Sequence, residues 1–430
     1  MRKLLSALKK AVPQRHPLRL VWHHAKAWIA AAINGFPARR LTVIAITGTD
    51  GKTTTVGMTT HILAAAGIKV GALSTAFLRI RKKTEWNRTQ KTSPSPFLIQ
   101  KFLRSLVTQG CTHAVLEVSS HGLVQGRLNF TWPMVAAVTN TTPEHLDYHG
   151  TMEQYRKDKG ILFSLLRDNG TKVLNRDDGS FDLYHPLPPK KTLTYSLRQD
   201  ADFTVTDVVE TFSGVRGMLA SRERSTLLPL QLKVLGTFNL ENALCAIACA
   251  RAIGVPVERA VKALEDFSGV PGRMERIDEG QEFSVYVDFT VTPAAYEKTL
   301  TTLRATLQPS RRLLVLTGSC GDRMREKRPE VGRICSRLAD IVVVTNEDPY
   351  TEDPQKIIDE VWAGIDQTTC KAQKIFDRRE AMRFLFETAE PGDAVILCAK
   401  GSDTTMWTAE GQIPWDERGI ARELLREMER

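Results

Sequence analysis

The chemistry-bearing residues of this chain fall in clusters, and the strongest is Thr47-Gly-Thr-Asp-Gly-Lys-Thr-Thr54. It follows a short apolar run, Leu41–Ile46, and opens a segment patterned as a helix up to Ala66. A glycine loop at a helix N-terminus offers backbone N–H groups to a phosphate. Its lysine neutralises β/γ charge and its hydroxyl ligates Mg²⁺. Gly48, Thr49, Asp50, Gly51, Lys52, Thr53 and Thr54 are therefore expected to hold a nucleoside triphosphate. The general pattern places a first glycine where Ile46 stands, so this loop is a shortened one opening at Gly48. An accidental glycine turn is disfavoured because the strand, loop and helix signals agree.

Two further clusters follow. Leu116-Glu-Val-Ser-Ser-His-Gly122 ends an apolar strand, where α/β enzymes place their ligands. Asn140-Thr-Thr-Pro-Glu-His-Leu-Asp-Tyr-His-Gly-Thr-Met-Glu-Gln-Tyr155 is followed by Lys159. Glu117 offers a hard oxygen for Mg²⁺ and His145 a neutral imidazole. Taken alone, His121 and His149 suit capping or packing, and Lys157 and Lys159 suit a solvated helix face.

A strand–helix alternation must position these clusters. Apolar runs at Ala114–Val118 and Met134–Val138, with helical segments between them, imply a mostly parallel sheet. Residues 200–235 alternate Thr, Val and Phe with Gly, the pattern of an antiparallel addition, and Phe267-Ser-Gly-Val-Pro-Gly-Arg273 reads as a joint. Beyond it, strands are expected near 284–288, 312–316, 341–344 and 394–398. Helices are expected near 294–307, 329–338, 354–363 and 378–388. The expected fold is α/β: a basic helical segment over 1–40 broken at Pro13 and Pro17, a central P-loop-type ATPase domain over 41–270, and a Rossmann-like domain over 271–430.

Composition agrees. The 430 residues are 42% hydrophobic and 25% charged, which excludes disorder or a fibrous repeat as the main state. The net charge of +10 is uneven: residues 1–40 carry nine Lys/Arg and no acid, leaving +1 for the rest. That argues for a basic N-terminal segment, not a nucleic-acid-binding body. Seven Cys form no CxxC pair and sit mostly in apolar stretches, as reduced thiols of a cytosolic protein do. No apolar run nears the ~20 residues that span a bilayer. Lys9-Lys10 cuts the run after Arg2-Lys3, against a signal peptide.

Several longer motifs occur in one order: the loop, Glu117-Val-Ser-Ser-His121, His145-Leu-Asp-Tyr-His-Gly150, Phe238-Asn-Leu-Glu-Asn242, Gly272-Arg-Met-Glu275, and Gly321-Asp-Arg323 with Lys327-Arg-Pro329. Across residues 41–418 this resembles the Mur ligase family, most closely its MurE type. The resemblance implies ATP-dependent amide formation through an acyl phosphate, with two Mg²⁺, a muramoyl-peptide acceptor and an amino acid, in peptidoglycan precursor synthesis. By the same resemblance Lys52 and Thr53 serve ATP and the first Mg²⁺, and Glu117 and His145 the second. Lys159 matches a lysine carbamylated in that family. Asn242, Arg273 and Asp288 match nucleotide contacts. Thr92, Ser93, Ser119, Ser120, His121, Arg127, Arg328, Glu347, Asp348, Tyr350, Gly401 and Asp403 match acceptor and amino-acid contacts. A monomer in the cytoplasm is expected, with peripheral contact of residues 1–36 at the inner membrane face.

There are departures. Asp50 stands for an Asn and Val291 for a His. Glu347-Asp-Pro-Tyr350 stands for Asp-Asn-Pro-Arg, and Lys400-Gly-Ser-Asp403 for Lys-Gly-His-Glu. A Tyr cannot make the bidentate charged pair of an Arg with a distal carboxylate. The family's N-terminal UDP-binding domain has no counterpart in the ~40 residues before the loop, too few for an independent core. Three alternatives remain: a ligase of the same superfamily acting on a lipid-linked muropeptide, one acting on a polyglutamate-type chain, and a non-ligating ATP-binding regulator. Val291 is the regulator's only support.

Overall fold

The fold, taken from a computed structural model, is described for residues 16–428 apart from 90 and 212. The continuous apolar runs form strands buried on both faces. Eleven strands make the first sheet: β1 Thr42–Thr47, β2 Val70–Leu73, β3 Phe77–Ile80, β4 Lys83–Trp86, β5 His113–Glu117, β6 Val135–Val138, β7 Thr171–Asn175, β8 Thr192–Ser196, β9 Phe203–Thr211, β10 Gly214–Ser221 and β11 Leu228–Leu232. Their order is β11-β10-β9-β8-β7-β6-β1-β5-β2-β3-β4. Pairing is parallel from β9 through to β2 and antiparallel at both edges, so residues 200–235 are the expected antiparallel addition.

One core cluster lies under the helices Lys52–Ala65 and Thr237–Ala252, where Cys245 and Cys249 are buried. The opposite cluster lies under Pro96–Thr108 and Met152–Ser164. All seven Cys are free thiols.

The second sheet holds β12 Glu275–Ile277, β13 Ser284–Val287, β14 Leu313–Thr317, β15 Ile341–Val344, β16 Lys371–Lys374 and β17 Ala394–Leu397, ordered β12-β13-β17-β14-β15-β16. Only β12 is antiparallel. The helices Pro293–Thr306, Lys327–Leu338, Pro354–Trp362 and Arg378–Thr388 accompany it. A hairpin, β18 Thr405–Thr408 and β19 Gly411–Pro414, follows the last parallel strand.

Pro17 does not break the N-terminal helix but starts it: the helix runs Pro17–Ile33 with Pro at its first position, where a missing N–H costs nothing. Ala27, Ala30 and Ala31 are buried, and the helix packs against Pro96–Thr108. Pro13 lies outside the described residues.

Candidate active site

β1, β5 and β6 end level with one another, so the segments following them meet at one edge. The loop after β1 is pinned to the segment after β6: Asp50 N–H donates to Asn140 Oδ1 at 2.9 Å, and Thr139 Oγ1 donates to Asp50 O at 2.7 Å. Gly51 has φ 79°, and a Cβ there would collide with Asn242 Oδ1, so glycine is required twice over. Asn242 thus packs directly against the loop from the helix Thr237–Ala252. Lys52 Nζ lies 2.6 Å from Thr49 O.

Glu117, the last residue of β5, is buried and well satisfied. Thr53 Oγ1 lies 3.1 Å from both its carboxylate oxygens, Thr75 N–H donates at 2.7 Å and Thr75 Oγ1 at 2.9 Å. Thr53 and Glu117 are the hard-oxygen pair that fits a divalent cation beside a phosphate. Lys159 is fully buried with its Nζ donating to Gly48 O at 2.7 Å, over the Tyr155 ring. Burial, then the Lys52 charge, hold its pKa well below the lysine range. His145 sits in a left-handed conformation, φ 56°. Burial first, then His121 and Lys159, keep its imidazole neutral at physiological pH. Among the described residues no three His, Cys, Asp or Glu side chains converge as a ready metal cage.

The second sheet supplies the facing wall of a cavity of about 570 Å³. Gly48 aside, every loop residue expected to meet nucleotide lines it, as do Glu117, His145, Asn242, Arg273, Asp288, Thr92, Glu347, Asp348, Tyr350 and Asp403. Arg273 stacks on Phe289, 4.3 Å from its centroid, with Nη2 3.5 Å from Thr53 Oγ1. Asp288 accepts from Met274 N–H at 2.7 Å and from the Thr290 hydroxyl, which ties it to the joint. Lys400, fully buried, donates to Asp348 at 2.7 Å and lies 3.5 Å from Asp403. Both acids are therefore already engaged by a lysine of the chain itself. Glu347 makes no direct ion pair among the described residues; burial first and then the Asp348 charge push its carboxyl up to about 7, against the pull of Lys400, Arg378 and Lys327.

Arg328 lies apart from the cavity residues. Expected at the substrate, it is fully buried and paired with Glu352 at 2.9 Å and Glu360 at 2.5 Å, outside the cavity. Gly401 is also outside it, packed against Gly272 and Phe289. Ser93, Ser119 and Arg127 form a separate group: Arg127 Nη1 donates to Ser93 O, and Ser119 N–H donates to Ser93 Oγ at 3.0 Å. Ser120 Oγ meets His149 Nε2 at 2.9 Å, and His149 Nδ1 meets Asp158 at 2.5 Å, a buried chain beside Lys159. The His121 ring lies 4.0 Å from Tyr148 and 4.8 Å from His145, between centroids.

Residues 46–250 match the Mur ligase middle domain, and residues 272–401 match the Mur ligase, glutamate ligase domain. The chain belongs to the Mur ligase family. A UDP-N-acetylmuramyl-tripeptide synthetase of Roseiflexus sp. (strain RS-1) is 38% identical over 424 residues, covering 94% of this chain and 82% of that protein. A UDP-N-acetylmuramoyl-L-alanyl-D-glutamate--2,6-diaminopimelate ligase of Synechococcus elongatus is 40% identical over 401 residues, covering 93% and 79%. A solved structure of a protein with that ligase name superposes with a TM-score of 0.63 at 32% identity, covering 91% of this chain and 79% of that one. The likeness is thus to MurE-type Mur ligases, which are ATP-dependent and ADP-forming.

In this Mur ligase, several cavity residues escaped sequence reasoning. Lys327 donates to Val291 O at 3.0 Å and lies 3.9 Å from Glu144, so a cation stands at the backbone where the family His is missing. Its signal was the Lys-Arg-Pro motif. Arg323 lies over the Tyr350 ring at 5.3 Å, and Trp407 stacks on that ring at 5.6 Å between centroids. Thr75, which holds Glu117, carries no motif signal.

Proposed function

We propose that this chain joins an amino acid to a carboxylate of a muramoyl peptide, with ATP cleaved to ADP and phosphate. One observation carries the reading: the phosphate loop, Glu117 and Arg273, with Glu347, Asp348 and Tyr350, face a single cavity, and Lys159 lies buried behind the loop with its Nζ on Gly48 O. In this reading 41–270 binds the nucleotide and 271–430 delivers the amino acid, all from one chain working as a monomer in the cytoplasm.

An acceptor carboxylate oxygen attacks the γ-phosphorus and the bond to the β-phosphate oxygen breaks, its electron pair leaving with ADP. The incoming amine then attacks the acyl carbon. Phosphate leaves, and the amine's proton passes to solvent. Lys52 and Arg273 neutralise charge that grows on the transferring phosphoryl group. Asn242 and Asp288 shape the nucleotide end. Thr53 would hold the first Mg²⁺ beside the phosphates, and Glu117 and His145 the second, with Lys159 as its carbamate orienting that metal. Bound there, the metal neutralises phosphate charge. Burial favours the neutral Lys159 amine that CO₂ requires: nitrogen bonds carbon and a proton is released.

A phosphate-release screen tests this by crossing lysine, ornithine, glutamate and diaminopimelate with UDP-linked and lipid-linked muropeptides. Release that requires both an acceptor and an amino acid supports ligation, and release independent of either refutes it. Lysine is expected to exceed diaminopimelate, because Tyr350 cannot pair with a second carboxylate. Arg323 over Tyr350 favours a second reading, in which that cation meets the carboxylate and diaminopimelate wins.

A further inference from the structure

The helix Pro17–Ile33 turns its apolar side to solvent. Its small residues are the buried ones. At 100° per residue Leu18, Trp22, Ile29 and Ile33 share one stripe opposite them, flanked by Val21 and Trp28. Leu18 is 74% exposed, Trp22 55%, Trp28 54% and Ile33 73%. The two Trp rings therefore do not anchor the helix to the domain beneath it. Arg19 and Lys26 edge the stripe, with Lys26 Nζ 4.9 Å from the Trp22 centroid.

We propose that this face docks on the headgroup region of an anionic lipid bilayer. Charge complementarity selects the occupant. Residues 1–40 carry nine basic residues and no acid. A second copy seated on this face would bring its own Arg19 and Lys26, within the same basic segment, against these, and like charges oppose association. An anionic surface attracts them, each basic residue near it adding about fivefold in affinity. Interfacial helices of this type lie in the membrane plane, with Trp at the headgroup level and cations at the edge. Among the described residues no helix is long and apolar enough to cross a membrane, so the contact is peripheral. The inference is independent of the ligase reading, because vesicle binding is read without turnover.

Flotation of the full chain tests it, on vesicles of phosphatidylglycerol and phosphatidylcholine against phosphatidylcholine alone. Binding to the anionic vesicles at low salt is expected, weakened by high salt, with Trp emission quenched by brominated lipid. The double variant Trp22→Ala/Trp28→Ala should weaken partition by about tenfold or more with an unchanged melting temperature. Leu18→Ser/Ile33→Ser, at equally exposed positions, should do the same. Absence of flotation at low salt overturns the proposal, as does equal flotation by both double variants. Concentration-dependent dimerisation that these variants abolish, without flotation, also overturns it and makes the face a contact between copies.

Discussion

Replacing Glu347 by Gln isolates one carboxylate in the amino-acid half of the cavity. Asp348 and Asp403 are paired directly with Lys400, whereas Glu347 feels Lys400, Arg378 and Lys327 only at a distance and has a direct pairing position open to a cationic side chain. Its carboxyl is raised from 4.5 to about 7 by burial and by Asp348. A substrate ammonium that restored the ordinary value would draw on at most about 3 kcal/mol, roughly 300-fold in affinity. Solvent entering the open cavity reduces that, and a loss of about 10–100-fold in KM for lysine is expected in Glu347→Gln. The sign in pH follows. Below about 7 Glu347 is protonated and cannot pair; above it the carboxylate forms, so KM for lysine should fall as pH rises from 6 to 8. In the variant that dependence should vanish. The same raised value lowers stability as pH climbs from 4.5 to about 7, so Glu347→Gln should melt higher than the parent at pH 8 and equally at pH 4. Initial rates against lysine concentration from pH 6 to 9, with melting curves at both extremes, check it. A parent KM that is flat in pH, or a variant with unchanged KM at pH 8, would refute the assignment.

Lys52→Ala should lower turnover by about 10²–10³-fold with the fold retained; ligation at the parent rate in a phosphate-release assay would remove it from the phosphate site. Lys159→Ala should be inactive and partly restored by a short-chain carboxylate, and the parent should slow in CO₂-depleted buffer; full activity of the variant there leaves Lys159 a structural residue. Arg328→Met should cost about 2–3 kcal/mol in denaturant unfolding by stranding Glu352 and Glu360, with KM for both substrates unchanged. Glu352 is held down at about 2 by Arg328. Its contribution is therefore present above pH 4.5 and lost as pH falls through about 2.

The elements around the cavity were readable because each rests on a local pattern. Leu41–Ile46 announces a covered strand, and Gly51 before Lys52 announces a helix start. The four strands and four helices expected beyond the joint lie within a residue or two of their bounds, whereas the edge strands β12 and β16, short and partly polar, carried no such pattern. The misreadings share a different cause, pairing between distant segments. Nothing local to Glu347–Tyr350 shows that Lys400 will reach Asp348 and claim it. Nothing in Lys327-Arg-Pro329 shows that Glu352 and Glu360 will enclose Arg328. The Ser120–His149–Asp158 chain likewise joins three segments. The outward Trp22 and Trp28 depend on which face of the helix packs inward, and the alanines decide that by close approach.

Glu117 owes its place to the strand ladder and not to a loop. It pairs with Ile46 across β1 and β5, and Leu116 pairs with Leu73 across β5 and β2. Side chains alternate faces along a strand, so the ladder works as an address with a reading frame. One residue inserted within β5, between Ala114 and Leu116, would leave the run apolar and still swing this carboxylate away from Thr53. The exposed β4 is free of that constraint. Length changes should therefore be survivable at the β3–β4 turn, yet lethal to chemistry when they fall inside β5, where a frameshift in space replaces the loss of any single group.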